Sequence, residues 1–331
     1  MIWIQFALAA LLIVLAATRL ATYGDVIAVR TGLGGLFVGT LLVAMATSLP
    51  ELLTALNSIN QGVPNLTAGD FFGSGMFNML LLAVIDLLNR QKRVLRMVAT
   101  IHALSATLAV LLTGLAVFFL WANIPLQIGW VGIDSLVLIA LYLYGIRLIN
   151  RSSRRDHSTP PPLETELPQT APPLWVAALG FLLAALVLVL VTPWLVRSAI
   201  GIAESSGLGV GFVGVAMVAI VTSLPEATST LAAMRMGAYD LAVGNLFGSN
   251  IFNMFALGLL DFFYTDGRLF NVIDPTLALA GLAALLLTTI GLLGNLAREE
   301  RRLFFMEVDA LLILIGYGSV LYLLYSRGLL H

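Results

Sequence analysis

The chain is a succession of apolar runs, each about as long as a bilayer is thick. A helix needs about 20 mostly apolar residues to cross the hydrocarbon core. Ten such runs can be counted, near 3–21, 33–57, 66–87, 97–120, 127–148, 174–196, 208–233, 241–260, 273–296 and 306–325. Backbone polar groups in hydrocarbon must bond internally, which favours helices as the spanning element. Composition agrees: 60% of residues are hydrophobic and 11% charged, against about 45–50% and about 25% in a soluble domain. The expected fold class is an all-α polytopic membrane protein. Met1-Ile-Trp-Ile-Gln-Phe has no basic residue, and the first one, Arg19, follows the apolar run. That segment is expected to be the first span rather than a cleaved signal.

Net charge is −1 with no basic patch, which argues against nucleic acid as a partner. The lipid bilayer is the expected surrounding, and no obligate protein partner or cofactor is implied. There are no cysteines, and the histidines are His102, His157 and His331. Any bound metal is therefore expected to take oxygen ligands. Enzyme chemistry finds no support. Gly69-Asp70 and Tyr239-Asp240 superficially suggest an intramembrane aspartyl protease, but Thr67 stands where a G-x-G-D motif needs glycine, and the order is reversed. Ser74 has no histidine plausibly near it. A channel or a non-transporting sensor stays open at this point.

Residues 151–173 are polar and rich in proline, from Arg151-Ser-Ser-Arg-Arg to Pro173, and read as a solvated linker. They divide the chain into a first five-span unit, 1–150, and a second, 174–331. With the N-terminus outside, the inner loops collect Arg19, Arg30, Arg90, Lys92, Arg93, Arg96, Arg147, Arg151, Arg154, Arg155, Arg235, Arg298, Arg301 and Arg302. Only Arg197, Arg268 and Arg327 fall outside. Fourteen against three sets the expected orientation, with the linker cytoplasmic.

The two units repeat one another. Shifted by 175 residues, positions 32–80 match 207–255 at 23 of 49 places without a gap. Thr47-Ser48-Leu49-Pro50-Glu51 falls on Thr222-Ser223-Leu224-Pro225-Glu226, and Gly73-Ser74-Gly75-Met76-Phe77-Asn78-Met79 on Gly248-Ser249-Asn250-Ile251-Phe252-Asn253-Met254. The register persists to Asp86 and Asp261, Asp134 and Asp309, and Tyr142 and Tyr317. Five spans per copy invert the second copy relative to the first. Inverted repeats with midplane ion sites recur in secondary transporters.

On a helix, Ala44, Thr47, Ser48 and Glu51 are three and four residues apart and share one face, as do Ala219, Thr222, Ser223 and Glu226. An ionisable residue inside a span is costly and marks a functional site by default. Pro50 and Pro225 precede the glutamates. Proline offers no N–H and frees carbonyls one turn back, near Ala46–Thr47 and Val221–Thr222. Carboxylate, hydroxyls and bare carbonyls on one face make a hard-oxygen cage of the kind calcium takes, and sodium accepts the same ligands. Ser74 and Asn78, with Ser249 and Asn253, add oxygens four residues apart. Gly69, Gly73, Gly244 and Gly248 are expected to allow close helix packing. Asp70, where the second copy has Asn245, caps a broken helix or tunes the site. Asp134 and Asp309 suit helix starts. Asp86 and Asp261 are expected at the lipid–water interface, and His102 in helix packing.

These motifs resemble the cation/calcium exchanger superfamily, in its prokaryotic sodium/calcium exchanger branch, over nearly the whole chain. The resemblance implies that Glu51 and Glu226 share a central calcium site, to which Thr47 and Thr222 add backbone carbonyls. It implies flanking sodium sites at Ala44, Ser48, Ser74, Ala219, Ser223 and Ser249, with Asn78 and Asn253 lining the centre. It implies alternating access, the first and sixth helices sliding across a fixed core, and a prokaryotic plasma-membrane location. Some members have aspartate where this chain has Asn253, so the site is expected to hold two carboxylates rather than three. The expected function is sodium-driven calcium antiport. Proton- or potassium-coupled exchange of calcium or another cation is the alternative.

Overall fold

A computed structural model describes residues 1–31, 44–88, 100–155, 172–297, 302–303 and 306–326. It is nearly all helical. The first half contains α1 (Ile2–Arg30), α2 (Leu49–Asn60), α3 (Pro64–Leu88), α4 (Thr100–Ala122) and α5 (Ile133–Arg155). The second begins with α6 (Leu174–Ser206), followed by the short α7 (Val210–Val213), a π-helical turn at Gly214–Val218, and α8 (Ala219–Thr222). It continues through α9 (Leu224–Arg235), α10 (Tyr239–Leu260), the short α11 (Leu269–Val272), α12 (Ala278–Ala297) and α13 (Val308–Ser326).

Among the described residues, eight helices are long and apolar enough to cross a membrane, and nine if Val210–Thr222 and Leu224–Arg235, bent by 40°, count as one broken span. This is a multi-pass membrane protein. Of the expected span 33–57, residues 33–43 lie outside the described residues, and 44–47 with α2 are helical. Most of the linker, the start of the fourth span, and Arg90, Lys92, Arg93, Arg96, Arg298, Arg301 and Arg327 also lie outside them.

Two helices run further than their apolar runs suggested. α1 continues to Arg30, so Arg19 sits within a helix rather than in a loop. α6 passes through Pro193 and Arg197 and stops only at Gly207. Glycine supplies the left-handed residue that ends a helix, and Gly207 has φ +69°. The fifth and tenth spans start later than expected. Each is preceded by a two-stranded antiparallel ribbon, Gln127–Ile128 with Val131–Gly132 and Arg302–Leu303 with Met306–Glu307. The ribbons are 175 residues apart, so the repeat survives in secondary structure beyond its sequence identity.

α3 and α10 form the centre: 78% of each apolar window is buried, against 22% for α6 and α13. They are packed by α4 and α12 around Phe71, Phe72, Met76, Leu112, Phe247 and Leu257. α1 and α6 pair along their lengths through Ala9, Ile13, Ala17, Leu188, Leu195 and Ala199. Lipid is as apolar as leucine, so helices in a membrane associate through close packing, which small residues permit. The outer faces of this pair expose Leu8, Leu11, Leu182, Leu186 and Leu190.

One end of the core is fastened by polar groups. Asp261 was expected at an interface but is fully buried where α10 ends. It accepts from the N–H groups of Gly132 at 2.7 Å and Leu269 at 2.6 Å. Two buried backbone donors with no water to turn to account for its position. Arg268 donates to the Asn123 side chain (2.8 Å) and the Ile124 carbonyl, and lies 3.6 Å from Asp134. Asp134 and Asp309 occupy the first turns of α5 and α13. At the opposite end of the same two helices, His102 reaches Asp240 at 3.4 Å, from α4 to α10.

Candidate ion-binding site

The two motif copies fold alike. Residues 44–47 are joined to α2 through Ser48 (φ −85°, ψ 7°), and α8 is joined to α9 through Ser223 (φ −89°, ψ 2°). Both serines sit in the sparsely populated bridge region, and Leu-Pro follows each. The ladder is carried across by Ser48 N–H to the Ala44 carbonyl (2.9 Å) and Ser223 N–H to the Ala219 carbonyl (3.1 Å). Opposite the prolines, Ala46 and Val221 have no N–H four residues ahead. Of the described backbone bonds, none reaches the carbonyls of Thr47 or Thr222. Glu51 and Glu226 fall in the first turns of α2 and α9, where a carboxylate suits the helix dipole. The segments ending at Thr47 and Thr222 present the opposite pole, carbonyl oxygens that attract cations.

Close approach at the crossings is built into the glycines. A Cβ on Gly73 would lie 2.7 Å from Ala219 Cβ and from Val215 Cα, and one on Gly248 would lie 3.0 Å from Ala44 Cβ. These are the same crossing in the two copies. On α3, Gly69 faces the Gly211 carbonyl backbone to backbone, beside the π turn. Such turns often occur at functional sites.

Each motif reaches across to the other. Ser48 Oγ donates to Glu226 Oε1 at 2.9 Å and pairs with Ser249 Oγ at 2.8 Å, while Ser249 Oγ lies 3.3 Å from the same carboxylate oxygen. Ser223 Oγ donates to Glu51 Oε1 at 3.2 Å. Thr222 Oγ1 donates to Asp70 Oδ1 at 2.8 Å, and Thr47 Oγ1 lies 3.5 Å from Asn245 Oδ1. Asn78 Nδ2 donates to Asn250 Oδ1 at 2.8 Å.

All twelve expected site residues are buried. Ser48, Ser223, Ser249 and the two glutamates are joined by these bonds. Ala44 and Ala219 offer carbonyls that already accept the serine N–H and threonine hydroxyl of their own turns. Ser74 and Asn253 are buried with no hydrogen-bond partner. Asp70 does not cap a broken helix: it lies inside α3, fully buried. It makes a third carboxylate of the cluster, where two were expected. Asn245 and Asn250 were also missed as members. The signal for both lay in the self-alignment, where they stand opposite Asp70 and Gly75.

Among the described residues, the buried oxygens without a partner include Glu51 Oε2, Glu226 Oε2, Asp70 Oδ2, Ser74 Oγ, Asn78 Oδ1 and Asn253 Oδ1, and Asn253 Nδ2 is also unpaired. Native interiors leave few such atoms, and an unpaired carboxylate oxygen in a span is costly. Unclaimed carboxylate, hydroxyl and amide oxygens on the residues of the two motifs are of the kind a hard cation takes, calcium with six to eight. Among the described residues, no group of three or more His, Cys, Asp or Glu is placed to hold a metal ion. A cage here draws on hydroxyls, amides and carbonyls as well as carboxylates.

The family model described as sodium/calcium exchanger protein matches residues 1–148 and 176–326. The putative antiporter CaxA of Alkalimonas amylolytica is 30% identical over 332 residues, covering 95% of this chain and 96% of that one. Among solved structures, the sodium-calcium exchanger NCX_Mj soaked with Na+ and Sr2+ superposes with a TM-score of 0.61 at 21% identity, covering 97% of this chain and 99% of that one. The H+/Ca2+ exchanger CAX gives a TM-score of 0.68 at 12% identity, covering 98% and 89%. The matched family is one of ion transporters rather than enzymes. With its family model spanning both halves and its buried oxygen cluster formed between them, the chain belongs to the sodium/calcium exchanger family.

Proposed function

We propose that this protein is a sodium-driven calcium antiporter of a prokaryotic plasma membrane, working by alternating access. Glu51 and Glu226 are the shared ligands of a central calcium ion, helped by the carbonyls of Thr47 and Thr222, with Asn78 and Asn253 lining the centre. Ser48, Ser74, Ser223, Ser249, Ala44 and Ala219 form flanking sodium sites. The two five-span halves, 1–150 and 174–331, are inverted relative to one another, with 151–173 a cytoplasmic linker and the N-terminus outside.

The observation that carries this reading is the reciprocal pairing of the motifs. The serine of each copy bonds the glutamate of the other, Ser48 to Glu226 and Ser223 to Glu51, and each glutamate keeps one oxygen unclaimed. A cation bound between those oxygens holds both halves at once. Its departure leaves two carboxylates that other cations must neutralise before the core can change sides. That requirement is the physical basis of coupled exchange rather than passive flux.

Glutamine keeps the shape of glutamate and removes its charge. Glu51→Gln and Glu226→Gln are each expected to abolish tracer calcium transport in proteoliposomes while the protein stays monodisperse on gel filtration. Full transport by both variants would remove the glutamates from the ion path.

A further inference from the structure

The two copies differ at positions 70 and 245. Asn245 in the second copy has a partner for each polar atom: Nδ2 lies 2.8 Å from Ser229 Oγ and 3.2 Å from Thr230 Oγ1, and Oδ1 faces the Thr47 hydroxyl at 3.5 Å. In the first copy the matching residues are Asp70, Thr54 and Ala55. Asp70 Oδ1 takes the Thr222 hydroxyl at 2.8 Å, the counterpart of the Thr47–Asn245 contact. By that correspondence its Oδ2 is the counterpart of the Asn245 amide nitrogen, and as a carboxylate oxygen it has no hydrogen to give. Asp70 Oδ2 and Thr54 Oγ1 are both without a partner, in residues that are fully buried.

The two residues lie on helices that meet at this level. Thr54 lies one turn beyond Glu51 on α2. Thr67, one turn before Asp70 on α3, donates to the Ala55 carbonyl at 3.1 Å, so the two helices touch at this level. Asp70 lies within electrostatic reach of Glu51. Where the second copy closes its pocket with amide hydrogens, the first leaves a carboxylate oxygen and a hydroxyl, beside another carboxylate. Oxygen donors of this kind suit a hard cation.

We propose that Asp70 and Thr54, with Glu51 beside them, form a further subsite for a monovalent hard cation of the sodium type, present in the first copy alone. It rests on the antiporter reading above. The central cage then has a one-sided extension, and the charge that Asn78 and Asn253 do not supply is carried by Asp70.

The test is thermal unfolding of the full-length protein in detergent, with choline chloride replaced stepwise by sodium chloride and, separately, with calcium chloride added. Asp70→Asn installs the residue of the second copy and keeps an acceptor for Thr222, and Thr54→Val removes the hydroxyl at nearly constant shape. Both are expected to raise the half-saturating sodium concentration, Asp70→Asn about tenfold, equivalent to ~1.4 kcal/mol, and Thr54→Val, which removes no charge from the central cluster, is expected to leave the calcium response close to that of the unsubstituted protein. Unchanged sodium responses in both variants would overturn the subsite and leave the antiporter reading standing. If Asp70→Asn does not fold, Thr54→Val decides by the same criterion. If neither sodium nor calcium stabilises the unsubstituted protein, the antiporter reading fails and the subsite with it.

Discussion

Two buried serines show how position decides what a hydroxyl is worth. Ser58 bonds back to the Thr54 carbonyl at 2.8 Å within its own helix, a local bond that substitutes for nothing else in the core. Ser48 instead joins Glu226 and Ser249 across the two halves. A hydrogen bond to a charged group contributes about 1.5–3 kcal/mol, roughly twice a neutral one. Ser48→Ala is therefore expected to lower the unfolding temperature and cut sodium-driven calcium transport, with Ser58→Ala close to the unsubstituted protein in both assays. Equal effects would mean that the crossing bond carries no special weight. The glutamates, serines and asparagines of this cluster were readable in the sequence because they occur twice at a fixed offset. Asp70 was read only as a helix cap or a tuning residue because it occurs once. A departure from an internal repeat has no second instance to confirm it, and only packing shows that its side chain turns inward.

Helices were legible by length and apolarity, but their ends were not. Nothing in the apolar run of α6 signals that it continues past Pro193 to Gly207, because a proline in a span is tolerated when neighbours satisfy the freed backbone. The ribbons before α5 and α13 contain two residues per strand, too few for any periodicity to register. The prolines marked where carbonyls are freed, but each motif was read as part of one continuous helix, so the interruption at Ser48 and Ser223 was not foreseen, whereas the glycines were read as packing residues. At the crossing of α3 with the π turn and α8, the neighbours of Gly73 are backbone and a core methyl group, neither of which can swing aside. Overpacking of a tight core typically costs about 1–3 kcal/mol. Gly73→Val is expected to reduce the yield of folded protein sharply, whereas Gly318→Ala on α13, with nothing within 4 Å of its added Cβ, is expected to leave it unchanged. Comparable yields, read by fluorescence-detected gel filtration, would contradict the close-packed crossing.

At the scale of the molecule, the fold separates two kinds of surface. α3, α10 and their neighbours form a core in which polar groups cluster around Glu51 and Glu226. The α1–α6 pair lies against that core through apolar side chains, and among the described residues a side-chain bond, Asn57 Nδ2 to Thr192 Oγ1 at 3.0 Å, links α2 to α6. A pair held chiefly by alanine and leucine contacts can slide with little polar rearrangement, which suits the alternating access proposed above. In the proposed mechanism, coupling arises because the buried carboxylates must be neutralised before that motion can occur. The most direct measurement is uptake of radiolabelled calcium into proteoliposomes loaded with sodium and diluted into sodium-free buffer, beside vesicles loaded with choline. The account predicts uptake only in the sodium-loaded vesicles. Equal uptake in both, driven instead by an imposed proton or potassium gradient, would contradict it.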